Sequence, residues 1–250
     1  MILKDKVALI TGAGQGIGQG IALAMADQGA KIAAAGRTLK KVEVSCELIE
    51  ARGAEAIPIL CDVKDRQSLQ NCVQSVVDQF GGINILVNNA QEVPLGRLEN
   101  VTDEEFTAGF QSGPQATLRL MQLCHPYLKG SGSIVNLATT AAKRWDTSNY
   151  GAYSAVKEAI RALTRAAASE WGCEGIRTNV ILPHASSPGM QWWMDSNPEE
   201  AAEFIASIPM QRIGDCEQDI GVFVATLCSD ACAYVNGQSI AVDGGQANLG

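Results

Sequence analysis

The sequence predicts an α/β fold, a doubly wound, seven-stranded parallel sheet flanked by helices. Three observations predict it. Short apolar runs recur along the chain, separated by stretches of helical length and pattern. The runs are continuous rather than alternating, as strands buried on both faces require. The first run passes directly into a glycine-rich turn, Thr11-Gly12-Ala13-Gly14-Gln15-Gly16-Ile17-Gly18, which opens a helical pattern.

The elements follow in order. Strands are expected near Val7–Thr11, Lys31–Ala35, Ala56–Cys61, Ile83–Val87, Ser133–Ala138, Arg177–Leu182 and Ser239–Val242. Helices are expected near Gly16–Gln28, Leu39–Arg52, Arg66–Phe80, Asp103–Leu128, Tyr150–Gly172 and Gln218–Ser229. No Pro/Ser-rich linker or internal repeat divides the chain, so residues 1–250 read as a single dinucleotide-binding and catalytic domain. The alternation breaks at 184–213, which holds Pro188, Trp192, Trp193, Pro198 and Pro209. A long irregular stretch within a compact domain is usually functional. Its tryptophans and methionines either form an apolar lid over a pocket or pack on the body or on another subunit.

The formal net charge of −8 argues against nucleic acid or anionic membrane as partners. No apolar run reaches the ~18 residues of a transmembrane helix. The N-terminus lacks the apolar stretch of a signal peptide. The eight cysteines form no CxxC pair, so they are expected to be reduced thiols with no metal site. A reducing, cytoplasmic compartment follows.

The carboxyl ends of the strands are where a doubly wound sheet binds its ligand. At the first, Gly12, Gln15, Gly16, Ile17 and Gly18 form a turn whose glycines allow close backbone approach. The helix start beyond aims its N–H groups and dipole at a pyrophosphate. With the strand before and the helix after, this is the fingerprint of a Rossmann fold. The second strand ends at Gly36-Arg37, with no carboxylate for a ribose 2′-OH. A guanidinium pairs with a 2′-phosphate, so NADP(H) is favoured over NAD(H). The third ends at Asp62-Val63, where the carboxylate could meet an adenine amino group or cap the next helix. The fourth ends at Asn88-Asn89-Ala90, suited to a cofactor or to tying strand ends together.

Beyond the fifth strand, Tyr153 and Lys157 stand at i and i+4 on one helix face. An ammonium beside a phenol favours the phenolate, and such a tyrosine can exchange a proton with a substrate oxygen. Tyr150 has Ser154 at that spacing, so Tyr153 is the better candidate. Thr139 and Thr140 finish the fifth strand, where a hydroxyl could orient a substrate oxygen.

Taken together, these features resemble the short-chain dehydrogenase/reductase family. The resemblance rests on Thr11–Gly18, Asp62-Val63, Asn88-Asn89-Ala90, the Tyr153 and Lys157 pair, Arg177–Pro183 and Asn236–Gly245, and spans nearly the whole chain. It implies catalysis by Tyr153 and Lys157, with Thr139 where the family has a serine. It implies cofactor contacts from the glycine turn, Arg37, Asp62, Val63, Asn88, Ala90, Tyr153, Lys157 and Ser186, the last with Ser187 as its alternative. It also implies a homo-oligomer, tetramer or dimer.

Besides Thr139, three positions depart from the family pattern. The asparagine of the proton relay falls at Gly113, next to Pro114, which lacks an N–H and should kink the helix and free carbonyls there for a relay water. Gln91 stands where a glycine is usual, and His184 follows Pro183 where a glycine is usual. The expected function is an NADP(H)-dependent interconversion of a carbonyl and a secondary alcohol on a hydrophobic small molecule. The alternative is a cofactor-binding relative with little turnover, serving a regulatory or scaffolding role.

Overall fold

The computed structural model describes residues 1–143 and 149–247. It contains a seven-stranded parallel sheet of β1 (Val7–Thr11), β2 (Lys31–Gly36), β3 (Ala56–Leu60), β4 (Ile85–Asn88), β5 (Ser133–Leu137), β6 (Arg177–Pro183) and β7 (Ser239–Val242). The spatial order is β3-β2-β1-β4-β5-β6-β7, so the order reverses beside β1. Thr11 of β1 registers with Ala35 of β2, and Ile10 with Val87 of β4. That reversal opens a crevice at the carboxyl ends of β1 and β4.

Helices cover both faces. On one, α1 (Gly16–Asp27), α2 (Leu39–Glu50) and α9 (Val222–Cys228) bury Ile21, Val42 and Val224 against Ile10 and Ile32. On the other, α3 (Arg66–Phe80), α5 (Ala116–Leu128) and α6 (Gly151–Trp171) pack Leu69, Leu120 and Ala167 against Leu9 and Leu86. The first face closes at backbone distance: a Cβ on Gly20 of α1 would stand 2.3 Å from the Cys216 carbonyl oxygen. β7 is held to β6 through side chains as well as the ladder. Asn179 Nδ2 donates to the Val235 carbonyl, and Asn236 Oδ1 accepts from the Thr178 N–H.

Three expected boundaries change. The single helix expected over Asp103–Leu128 is two, α4 (Asp103–Phe110) and α5, joined through a π turn at Gln111–Gln115. Pro114 lies inside that turn and, lacking an N–H, prevents regular α bonding there. The stretch 184–213, expected to be irregular, carries α7 (Pro188–Ser196) and α8 (Pro198–Ser207). Both helices begin with proline, which belongs at the first helical position. A second π turn, Cys216–Gly221, precedes α9 and is capped by Asp215, which accepts from the N–H groups of Glu217 and Gln218.

Candidate active site

The cleft begins where β1 meets β4. Thr11 Oγ1 accepts from the N–H groups of Asn89 and Ala90, both at 3.1 Å. Asn89 Nδ2 donates to the carbonyls of Thr11 at 2.9 Å and Gly12 at 3.2 Å. These bonds lock the two strand ends together. Gly12 has φ +67, and a Cβ on Gly18 would stand 2.4 Å from the Gly12 carbonyl oxygen, so the turn closes only with glycine at both positions. Helix α1 starts from Gln15 with no side-chain cap and no acidic residue in its first turn. Its first N–H groups are therefore open to an anion. The glycine cradle and uncapped helix start fit a dinucleotide pyrophosphate.

Cations gather at the far end of the turn. Arg37 and Lys64 both pair with Glu92, at 2.5 and 2.9 Å, and Lys41 Nζ donates to Gln15 Oε1 at 2.6 Å. The Lys64 ammonium, then Arg37, hold the Glu92 carboxyl below the usual carboxylate range. Asp62 is not the cap of α3. Its carboxylate accepts from the Lys64 N–H, while Asp65 caps the helix.

The opposite end holds the candidate proton-transfer groups. Helix α6 brings Tyr153 and Lys157 to one face, with Lys157 Nζ 5.4 Å from the Tyr153 ring centre. Lys157 is buried, and its Nζ donates to the Leu137 carbonyl at 2.6 Å. Burial lowers the lysine to about 7. The tyrosine does not show the expected phenolate-favouring shift. It is half-buried and rests against Tyr150, ring centres 5.9 Å apart, and burial followed by Tyr150 raises its phenol above the ordinary value. Taken out of water together, both groups are driven toward their neutral forms. Thr139 Oγ1 accepts from the Ala141 N–H at 3.2 Å, which leaves its own hydrogen available to a ligand.

Groups from both ends line one cleft of about 550 Å³. It takes in Gly12, Gln15, Gly16 and Ile17 from the turn, then Arg37, Asp62, Val63 and Ala90, and ends at Thr139, Tyr153 and Lys157. Gly18, Asn88 and Ser186 fall outside it. Gly18 serves the packing of the turn. Asn88 is still within β4, and its side chain donates to Asn136 Oδ1, while Asn136 Nδ2 donates to Thr164 Oγ1, a buried chain of hydrogen bonds. Asn89, one residue on, faces the cleft instead. Ser186 Oγ donates to Gln191 Oε1, whereas Ser187 lines the cleft and caps α7.

His184 also lies elsewhere. Its ring meets Phe204 edge-on at 5.2 Å, and Phe204 meets Trp193 at 5.7 Å, joining the end of β6 to α8 and α7. It borders a second cavity of about 590 Å³, beside β7, that includes neither Tyr153 nor Lys157. Glu92, Lys64 and Lys41 were missed by sequence reasoning; their meeting with Arg37 and Gln15 is produced by the fold, with no local motif to mark it. Among the described residues no His, Cys, Asp and Glu group could hold a metal ion.

The fold and the cleft define a dinucleotide-binding oxidoreductase. A family model described as enoyl-(acyl carrier protein) reductase matches residues 12–247. A 12α-hydroxysteroid dehydrogenase of a Clostridium species is 37% identical, over 98% of this chain and 97% of its own. Versicolorin reductase 1 of Aspergillus parasiticus is 30% identical, over 97% of each chain. The solved structure of a short-chain dehydrogenase from Burkholderia cenocepacia, in complex with NADP, superposes with a TM-score of 0.91 at 29% identity, covering 98% of this chain and 99% of that one. The chain belongs to the short-chain dehydrogenase/reductase family, oxidoreductases that act on CH–OH groups with a nicotinamide dinucleotide.

Proposed function

We propose that this protein interconverts a carbonyl and a secondary alcohol on a hydrophobic, steroid-sized substrate, with NADP(H) preferred over NAD(H). One observation carries the reading. Tyr153, Lys157 and Thr139 line the same cleft as the glycine turn and Arg37. The turn and the start of α1 would hold the pyrophosphate, and Arg37 with Lys64 the 2′-phosphate. Bound there, NADP(H) supplies or accepts the hydride.

The chain's own residues handle the oxygen. In the reducing direction the Tyr153 hydroxyl gives its proton to the substrate oxygen. The Thr139 hydroxyl donates a hydrogen bond to the same oxygen and fixes its position. Lys157, held by the Leu137 carbonyl, provides in its ammonium form the charge that stabilises the phenolate left behind. In the oxidising direction the same proton returns to Tyr153.

The segment of α7 and α8 supports an apolar substrate. Its ends are pinned together, with the Ser186 N–H donating to the Gly214 carbonyl at 2.9 Å. Pro188 and Gly189 line the cleft, Trp193 packs on Phe204, and Trp192 stays exposed. This segment is the lid in our reading, and the name of the 37% identical hydroxysteroid dehydrogenase points to the same substrate class. The free cysteines fit a cytoplasmic enzyme. Phe106 and Phe110, exposed on α4, fit a face shared between copies in a homotetramer or dimer.

The test is NADPH oxidation against a panel of oxo-steroids and aryl ketones, with wild type beside Tyr153→Phe. Wild type should turn over at least one of them, and the variant should lose about 100-fold or more in kcat. Equal rates in the two proteins would overturn the enzymatic reading in favour of a cofactor-binding role.

A further inference from the structure

Gln91 follows Ala90 just past the end of β4, and the loop around it is pinned. The Glu92 N–H donates to Ser112 Oγ at 3.0 Å, and Ser112 Oγ donates to the Ala108 carbonyl at 2.7 Å. The loop is thereby tied to the π turn between α4 and α5. Its glutamine side chain occupies the notch left by Gly113. A Cβ at position 113 would stand 2.9 Å from Gln91 Nε2, 3.0 Å from its Cδ and 2.9 Å from Val156 Cγ1.

Packing alone does not account for a glutamine there. Both Nε2 and Oε1 are withdrawn from solvent, and neither has a hydrogen-bond partner among the described residues. An unpaired buried amide opposes folding, whereas an apolar side chain of the same length would fill the notch without that penalty. Groups of this kind are normally completed by an ordered water. The carbonyl of Gly113 offers less, because it already accepts from the Ala116 N–H.

The charged donor that lines the same cleft as Gln91 on the α6 side is Lys157. Val156, which borders the notch, is the residue before it, and Gln91 and Lys157 line the same cleft. An ammonium has three donors, and one is placed on the Leu137 carbonyl. The titratable group against it is Tyr153, with Tyr150 behind. On the β5 side it meets the Leu137 carbonyl.

We propose that Gln91 is a positioning residue for Lys157: one water accepts from the Lys157 ammonium and donates to Gln91 Oε1, so that the amide seated against Gly113 keeps the lysine charged while Tyr153 exchanges its proton. The inference rests on the carbonyl–alcohol reading given above. No bond is made or broken in this contact.

The test compares Gln91→Met, which keeps the length and removes the amide, with wild type. In the cofactor-free protein, the Lys157 titration followed by NMR of its side-chain carbons should move to lower pH. With cofactor and a ketone substrate, kcat should fall about tenfold with KM nearly unchanged, less than the roughly 100-fold or more expected for loss of the acid itself. Thermal stability should hold or rise. Gln91→Glu, which keeps the acceptor, should return the Lys157 midpoint at least to its wild-type position. The exchange Gln91→Gly with Gly113→Asn, which returns an amide from the opposite wall, should recover turnover lost in Gln91→Gly alone. An unchanged Lys157 titration in Gln91→Met overturns the proposal, as does a parallel fall of Tm and kcat. Tyr153→Phe separates the two readings. If it abolishes turnover while Gln91→Met is silent, the function stands and only this inference fails.

Discussion

Arg37 and Glu92 face each other at the mouth of the cleft, with Nη1 and Oε1 2.5 Å apart, and Lys64 Nζ lies 2.9 Å from the same oxygen. The Arg37 side chain is 57% exposed, so the ion pair is screened and contributes little to stability. A 2′-phosphate carries more charge and more acceptor oxygens than a carboxylate, and it would take Arg37 over from Glu92. Arg37→Ala should therefore raise the Kd for NADPH about tenfold, the loss of roughly one charge-assisted bond, and leave NADH nearly unchanged. Glu92→Gln should tighten NADPH, because the competing carboxylate is gone. Fluorescence titration with both cofactors reads the difference. Equal weakening of both in Arg37→Ala would refute the assignment.

Lys157 predicts a pH dependence of the cofactor-free protein. Its folded value is about 7, against 10.5 for the ordinary side chain. Between these values the unfolded chain binds a proton that the folded chain does not, so stability rises with pH across that window. Below about 7 both states are protonated, and the cost of the buried charge is present in full. Tyr153 acts in the opposite sense above the ordinary tyrosine value, where the unfolded chain gives up its proton first. Thermal melts from pH 7 to 8 should show a rise in wild type that flattens in Lys157→Met; nearer pH 9 the thiols of Cys46, Cys124, Cys216 and Cys228, raised by burial, act in the opposite sense. The same slope in both proteins would mean that Lys157 is not the group responsible.

The legible part of this protein is what local chemistry dictates. Runs such as Val7-Ala8-Leu9-Ile10 mark strands buried on both faces, and the glycine turn marks the switch point of the sheet. The proline of the π turn was a visible signal, since Pro114 cannot complete an α ladder, although the kind of irregularity was not visible. Proline misled at Pro188 and Pro198, which start helices instead of interrupting them. Asn88 and Asn89 differ by one step at a strand end, where one side chain turns into the sheet and the next toward the cleft. The Arg37–Glu92 pair spans 55 residues, a meeting made by the fold with nothing adjacent in sequence to announce it.

Thr139 supplies the last test, because it separates the hydroxyl from the methyl it carries. The Oγ1 atom accepts from the Ala141 N–H at 3.2 Å, which leaves the hydroxyl hydrogen free to be donated. The methyl restricts χ1 and adds volume to a side chain that lines the cleft together with Tyr153. Thr139→Ser keeps the donor and relaxes the rotamer, so kcat should stay near wild type while bulkier ketones gain in kcat/KM. Thr139→Ala removes the donor to the reacting oxygen and should lower kcat by about 100-fold, the usual loss for one such donor. Steady-state kinetics on two ketones of different bulk distinguish the effects. If Thr139→Ala and Thr139→Ser behave alike, the hydroxyl does not anchor the substrate oxygen, and the orienting group must be sought among the other polar residues of the cleft.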